Sequence, residues 1–270
     1  MDSILNIKNL NVDYLLDKGA FRAVKSVSFN IGRGEIFGLA GESGCGKSTI
    51  AYAITRLSKP PAWVAGGEIC LGEINLLNLP EREMQKIRWQ RIGMVFQSAM
   101  NSLNPLMRIE DQFYDVLHRH SNSTREGSRA IAENMFRLVG IPGLRLRDYP
   151  HQFSGGMRQR IVIAICLALN PELIIMDEPT TALDVVVQRE ILEQVAELQR
   201  SRSFSVLFIT HDLYLMAQIC HRMAVMLKGE LVESGDVDQM RNMPQHPYTK
   251  SLWAAIPQLP KTRQLAGASA

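Results

Sequence analysis

Apolar and polar residues alternate in short runs from residue 4 to residue 31, such as Leu5-Asn6-Ile7 and Val27-Ser28-Phe29, with Asp17-Lys18-Gly19 interrupting them. The pattern predicts antiparallel strands joined by a hairpin. The next apolar run, Ile36-Phe37-Gly38-Leu39-Ala40, does not alternate and reads as a compact buried strand entering a glycine-rich turn. Helical spacing follows over residues 47–57. From about Gln97 to Arg160 the strand signals vanish. Phe113, Val116 and Leu117, then Ile131, Met135 and Leu138, recur at helical intervals, and Ser123 with Glu126 forms a capping box that opens the second helix. A helical subdomain inserted into an α/β core is therefore expected. Two short apolar runs, Leu173-Ile174-Ile175-Met176 and Val206-Leu207-Phe208-Ile209, then flank a helix carrying Val187, Ile191, Val195 and Leu198. Strand, helix, strand predicts a parallel sheet. Beyond about Pro257 the tail is expected to fray.

Composition acts mainly by exclusion. At 270 residues, 46% hydrophobic and 21% charged, the chain can bury one large core and is not expected to be disordered. Its net charge of +3, from 30 basic and 27 acidic residues, is too small and too dispersed to predict nucleic-acid or membrane binding. No basic-then-apolar leader precedes the first strand, and the longest apolar stretch, residues 161–169, is far shorter than the roughly 20 residues of a membrane span. A soluble, unexported protein is expected. The 4 cysteines, Cys45, Cys70, Cys166 and Cys220, have neither CxxC nor metal-ligand spacing, so no disulfide framework and no zinc or iron–sulfur site is expected, and a reducing cytoplasm fits.

The strongest chemical signal is Gly41-Glu42-Ser43-Gly44-Cys45-Gly46-Lys47-Ser48, followed by Thr49, a full G-x-x-x-x-G-K-[ST] match between a strand and a helix. Its glycines let successive N–H groups turn inward on phosphates, and the helix N-terminus adds partial positive charge. Lys47 is expected to reach the β- and γ-phosphates and Ser48 to ligate Mg²⁺. Cys45 reads as a small filler, although a thiol at a helix N-terminus has a lowered pKa, which would make it an alkylation target. The second signal is the run Leu173-Ile174-Ile175-Met176 ending in Asp177-Glu178. Alone, such a run is commonly a strand entering a solvated loop. Paired with the phosphate loop, it sets Asp177 in the Mg²⁺ shell and Glu178 on the attacking water.

Phe153-Ser154-Gly155-Gly156-Met157, continuing to Arg158-Gln159-Arg160, resembles the signature motif of ATP-binding cassette (ABC) ATPases. Gln97 resembles that family's Q-loop glutamine, Ala182-Leu183-Asp184 its D-loop, and His211, after Phe208-Ile209-Thr210, its switch histidine. The resemblance implies a P-loop NTPase (RecA-like) α/β core with an antiparallel β lobe and an inserted helical subdomain: lobe and core at 1–97 and 165–235, helical subdomain at 98–164, and a short C-terminal extension at 236–270. It implies ATP and Mg²⁺ as ligands, with Ser48, Gln97 and Asp177 on the metal and Glu178, His211 and Gln97 at the reacting phosphate. An aromatic residue is expected on the adenine, Tyr14 first and Phe21 in reserve. Ser154, Gly155 and Gly156 are expected to face a partner subunit's phosphate loop, so one chain is half a machine.

Gly93-Met94-Val95-Phe96-Gln97 continuing to Asn101-Ser102-Leu103-Asn104-Pro105, Tyr149-Pro150-His151-Gln152 before the signature, and His246-Pro247-Tyr248-Thr249 are similar to the peptide/nickel-type importers. Met157 in place of glutamine resembles their D-type subunit. The resemblance implies a second, F-type ATPase, two transmembrane permease subunits, an extracytoplasmic solute-binding protein, no nucleic acid, and a peripheral place on the cytoplasmic face of the inner or plasma membrane. Oligopeptides or dipeptides are the expected cargo, with nickel chelates and oligosaccharides open to the same machinery. Many members continue into a cysteine-rich segment associated with an iron–sulfur cluster; this chain ends at Ala270, and no cluster is expected. An ABC ATPase serving no transporter would share the catalytic motifs, but the sequence has no second cassette, long coiled coil or basic patch. A degenerate binding module would lack one of Lys47, Asp177, Glu178 and His211.

Overall fold

The computed structural model describes residues 2–17, 19–97, 99–180 and 183–255. The first alternating stretch forms β1 (Ser3–Leu16) and β2 (Gly19–Gly32), a long antiparallel pair. They are continuous strands rather than short segments, because bulges at Asn9 and Ser26, with φ of 48° and 49°, reset the two-residue period. Next come β3 (Ile36–Gly41), α1 (Lys47–Thr55), β4 (Ala62–Leu71), β5 (Ile74–Asn75) and α2 (Glu81–Gln90). The strands β2-β1-β4-β5 make an antiparallel lobe.

After β6 (Ile92–Val95) the chain leaves the sheet for α3 (Ile109–Ser121), α4 (Arg125–Leu138) and α5 (Gly155–Leu167). Thr124, not Ser123, caps α4: its hydroxyl accepts the Gly127 N–H, three residues on. The helix α5 runs through residue 164, where the helical subdomain was expected to end. Then follow β7 (Leu173–Asp177), α6 (Val185–Arg202), β8 (Ser205–Thr210), α7 (Leu213–Ile219), β9 (Arg222–Leu227), β10 (Glu230–Asp236), α8 (Val237–Asn242) and α9 (Pro247–Ala254).

The second sheet has the order β10-β9-β3-β8-β7-β6, parallel except where β10 pairs with β9. Neighbouring residues of its strands feed two different cores. Ile174, Met176, Val206 and Phe208 pack toward α3, α4, α5 and α6, while Leu173, Ile175, Leu207 and Ile209 pack toward α1 and the β lobe. Burial on both faces is why these strands are unbroken apolar runs in the sequence. The arrangement matches the expected fold class, and it brings the C-terminal ends of β3, β7 and β8 to one edge, where α/β sheets bind ligands.

Candidate active site at the phosphate loop

The loop from β3 to α1 is shaped by close backbone approach. Gly41 has φ 147°, and a Cβ there would lie 2.4 Å from the Met226 carbonyl oxygen; at Gly46, φ 111°, it would lie 2.7 Å from the Ala23 oxygen. Only glycine meets both demands. The β9–β10 turn supports the loop from behind, where the Gly229 N–H donates to the Cys45 carbonyl at 3.1 Å. Lys47 is buried, and its Nζ donates to the Gly41 and Glu42 carbonyls at 2.7 and 2.8 Å. The Cys45 thiol is buried as well, and burial pushes its pKa up despite the neighbouring Lys47. A buried thiol with a raised pKa fits the small filler that the sequence pointed to, and not the activated thiol that a helix N-terminus can produce.

Asp177 and Glu178 stand at the end of β7. Ser48 Oγ donates to Asp177 Oδ1 at 3.0 Å. Burial holds the Asp177 carboxyl above its ordinary pKa, opposed by the Ser48 hydrogen bond, reinforced by the Glu178 charge and countered by Lys47. Glu178 takes a left-handed backbone, φ 46°, fixed by its N–H to the Ile209 carbonyl at 2.9 Å. That turn points its carboxylate at two partners: Gln97 Nε2 donates to Oε2 at 3.1 Å, and His211 Nδ1 lies 3.3 Å from Oε1. Residues separated by more than a hundred positions in sequence thus share one cluster.

A cavity of about 410 Å³ opens over this cluster and is lined by Ser43, Gly44, Gly46, Lys47, Ser48, Thr49, Gln97 and Glu178. Its far wall is Tyr14, Leu16, Phe21 and Ala23 from the β1–β2 hairpin. Tyr14 and Phe21 are cross-strand partners, so both aromatic candidates face the cavity. Tyr14 is half-buried and its hydroxyl shares a hydrogen bond of 3.1 Å with Thr49 Oγ1, whereas Phe21 is 57% exposed.

Ser154, Gly155 and Gly156 do not join this group, and none of them lines the cavity. They open α5, where Ser154 Oγ accepts the Met157 N–H at 3.3 Å. A Cβ on Gly156 would lie 2.6 Å from Val187 Cγ1 of α6, which fixes a glycine there. Asp184 caps α6 through the Val187 N–H, and Ala182 lies outside the described residues. Sequence reasoning missed Arg145, which lies 4.2 Å from the Phe153 ring centroid and donates to Asp148 and to the Gln152 carbonyl, both at 2.8 Å. It also missed Met226 and Gly229 behind the phosphate loop. No motif marks any of these residues; their roles arise from packing.

The family model for ABC transporters matches residues 24–181. The chain belongs to the ABC transporter family. Among relatives, this ABC ATPase is 45% identical over 262 residues to the dipeptide transport ATP-binding protein DppD of Bacillus subtilis (strain 168), covering 96% of this chain and 78% of that one. It is 44% identical over 259 residues to the oligopeptide transport ATP-binding protein OppD of the same organism, covering 95% and 72%. A dimeric, post-hydrolysis structure of the ATP-binding cassette MJ0796 bound to ADP and Pi superposes with a TM-score of 0.76 at 29% identity, covering 86% of this chain and 98% of that one. The ABC ATPase also has an apolar groove of about 290 Å³ between sheet and helical subdomain, lined by Trp89, Met94, Phe96, Leu103, Met107 and Val116 among others. No helix among the described residues is long and apolar enough to cross a membrane.

Proposed function

We propose that this ABC ATPase is one of two unlike ATPase subunits on the cytoplasmic face of a cell membrane, where its Mg²⁺-ATP cycle drives import of a peptide through two permease subunits supplied by an extracytoplasmic solute-binding protein. The observation that carries the reading is a division within the chain: residues of the phosphate loop, Gln97 and Glu178 line one cavity, with Asp177 and His211 joined to it through Ser48 and Glu178, while the signature residues line none of it. Each chain then supplies a phosphate grip to one nucleotide and Ser154-Gly155-Gly156 to its partner's. The likeness to dipeptide and oligopeptide transport proteins supports a peptide cargo.

In this mechanism the inward N–H groups of the loop and the α1 N-terminus hold the phosphates, and Lys47 exchanges carbonyl partners for phosphate oxygens. Tyr14 carries the adenine, with Phe21 beside it. The hard oxygen donors of Ser48, Asp177 and Gln97, with a desolvated carboxylate at their centre, fit Mg²⁺, which when bound neutralises charge on the phosphate oxygens. Glu178 accepts the proton of the attacking water, and His211 and Gln97 hold the carboxylate in line. Because Gln97 directly follows Phe96, which lines the apolar groove, its contact with Glu178 links the nucleotide to a permease helix seated there. Closure is favoured only while the γ-phosphate is present.

Photo-crosslinking of labelled ATP to each ATPase of the assembled transporter tests the reading. Lys47→Ala should abolish labelling of this chain. Ser154→Arg, which puts a cation at a helix N-terminus where the dipole opposes it, should spare labelling of this chain and impair closure at the partner's site. Loss of labelling here with the partner's site untouched would refute the exchange of signature residues.

A further inference from the structure

Arg145 takes no part in the chemistry above and does not line the phosphate-loop cavity, yet its side chain touches residues on both sides of the signature. It stands in a short 3₁₀ turn, Gly143–Arg147, that packs on α3 and α4 and buries Leu146. From there Nε donates to Asp148 Oδ2 at 2.8 Å, Nη2 to the Gln152 carbonyl at 2.8 Å and Nη1 to the Met157 sulfur at 3.7 Å. The guanidinium carbon lies 4.2 Å from the Phe153 ring centroid. Asp148 anchors the group. The other three contacts fall on the two residues before Ser154 and on the first residue after Gly156, so one planar fork spans the signature from end to end.

The spanned segment needs such support. Ser154-Gly155-Gly156 opens α5, and glycine has the widest backbone freedom of any residue. Gly156 is held from behind, because Val187 leaves no room for a Cβ. Ser154 spends its hydroxyl on the Met157 N–H at 3.3 Å. Met157 is thus fixed through its N–H by Ser154 and through its sulfur by Arg145. On the other side of the segment, Phe153 is buried and meets Phe136 edge-on, with centroids 6.5 Å apart. A helix N-terminus grips phosphate through N–H groups whose directions are set before the ligand arrives, and a misplacement of about 1 Å at a reacting centre costs about 100-fold in rate.

We propose that Arg145 is a positioning residue for the nucleotide of the partner subunit: it holds the N–H groups of Ser154-Gly155-Gly156 in the orientation that meets that nucleotide's phosphates when the two ATPases close. Its effect therefore falls on the site that holds the partner's phosphate loop and not on the site of its own chain. This role rests on the exchange of signature residues proposed above, and the test separates the two.

Transporter is assembled from the variant chain and an unaltered partner ATPase. Labelled 8-azido-ATP is photo-crosslinked to each ATPase, first in the cold, which reads binding, and then after vanadate trapping, which reads closure. Arg145→Met keeps an unbranched stem of similar bulk and removes the fork. It should leave cold labelling of both chains within about twofold and lower the partner-to-own ratio of vanadate-trapped label by about tenfold. Arg145→Lys keeps the charge and a point donor without the fork, and its ratio should lie between those of Arg145→Met and the parent. An unchanged ratio for Arg145→Met overturns the proposal, even where trapped label falls on both chains, since a residue that merely supports the fold weakens the two sites alike. Ser154→Arg is run alongside. If it leaves the ratio unchanged, the exchange of signature residues fails; if it lowers the ratio while Arg145→Met does not, only the role of Arg145 fails.

Discussion

Replacing Glu178 by glutamine exchanges an acceptor-only carboxylate for an amide of the same shape. The carboxylate now receives Gln97 Nε2 on one oxygen at 3.1 Å and faces His211 Nδ1 with the other at 3.3 Å. An amide has a single acceptor oxygen, so it keeps one of these contacts as an acceptor and meets the other partner with its NH₂. The larger loss is the base itself, about 10²–10⁴ in rate, or roughly 3–5 kcal/mol of barrier. The phosphate grip is unaffected, because Lys47 and Ser48 make their contacts elsewhere. Phosphate release by the assembled transporter should fall at least about 100-fold, with the ATP dissociation constant within about threefold of the parent. Glu178→Asp tests position separately: it draws the carboxylate back by one methylene, and a misplacement of about 1 Å costs about 100-fold. Turnover within about threefold of the parent for Glu178→Gln would remove Glu178 from the base role.

Two further substitutions probe the walls of the site. Gly156→Ala places a Cβ 2.6 Å from Val187 Cγ1, an overlap that costs about 1–3 kcal/mol against a helix-propensity gain of at most about 1 kcal/mol. Val187→Ala should rescue it, and a urea-unfolding double-mutant cycle in which the two effects merely add would contradict that contact. Asp177 has a pKa raised chiefly by burial, so its contribution to stability is complete below the ordinary carboxylate pKa and is lost as pH rises through the folded value. Asp177→Asn should accordingly raise the melting temperature of the nucleotide-free protein at pH 7 while abolishing Mg²⁺-dependent turnover, and the stabilisation should shrink as pH falls through the carboxylate range. A lower melting temperature at pH 7 would show that the ionised carboxylate is not under strain there.

The sequence revealed the elements whose burial is uniform. The strands β3, β7 and β8 lie between two cores and so appear as unbroken apolar runs, and the phosphate loop has a fixed covalent spacing. The strand β4 escaped notice because Gly66-Gly67 interrupts it, where Gly67, at φ 98°, lets the backbone pass so close to Asn9 that a Cβ would lie 2.5 Å from its carbonyl oxygen. The strand β9 reads Arg-Met-Ala-Val-Met-Leu, and methionine and alanine carry little strand preference. Its position beside β3 is what brings Met226 against Gly41, a contact between distant segments that no local pattern encodes. Of two adjacent hydroxyl residues, Thr124 rather than Ser123 caps α4, a one-residue choice that depends on where the helix begins in space.

The placement of β3 also sets an order of events during synthesis. Its two neighbours are β8 and β9, which begin at residues 205 and 222, whereas the β1–β2–β4 lobe closes within the first 71 residues. At about 5–20 residues per second, the ribosome needs roughly ten to thirty seconds after finishing the phosphate loop to produce the first strand that can flank it. During that interval both edges of the strand leading into the nucleotide site are bare, an apolar template open to other nascent chains. Strands made late in translation, β8 and β9, therefore decide whether the first half of the nucleotide site is sheltered, and an interrupted chain carrying an intact phosphate-loop motif is a precursor of aggregation rather than a small ATP-binding protein.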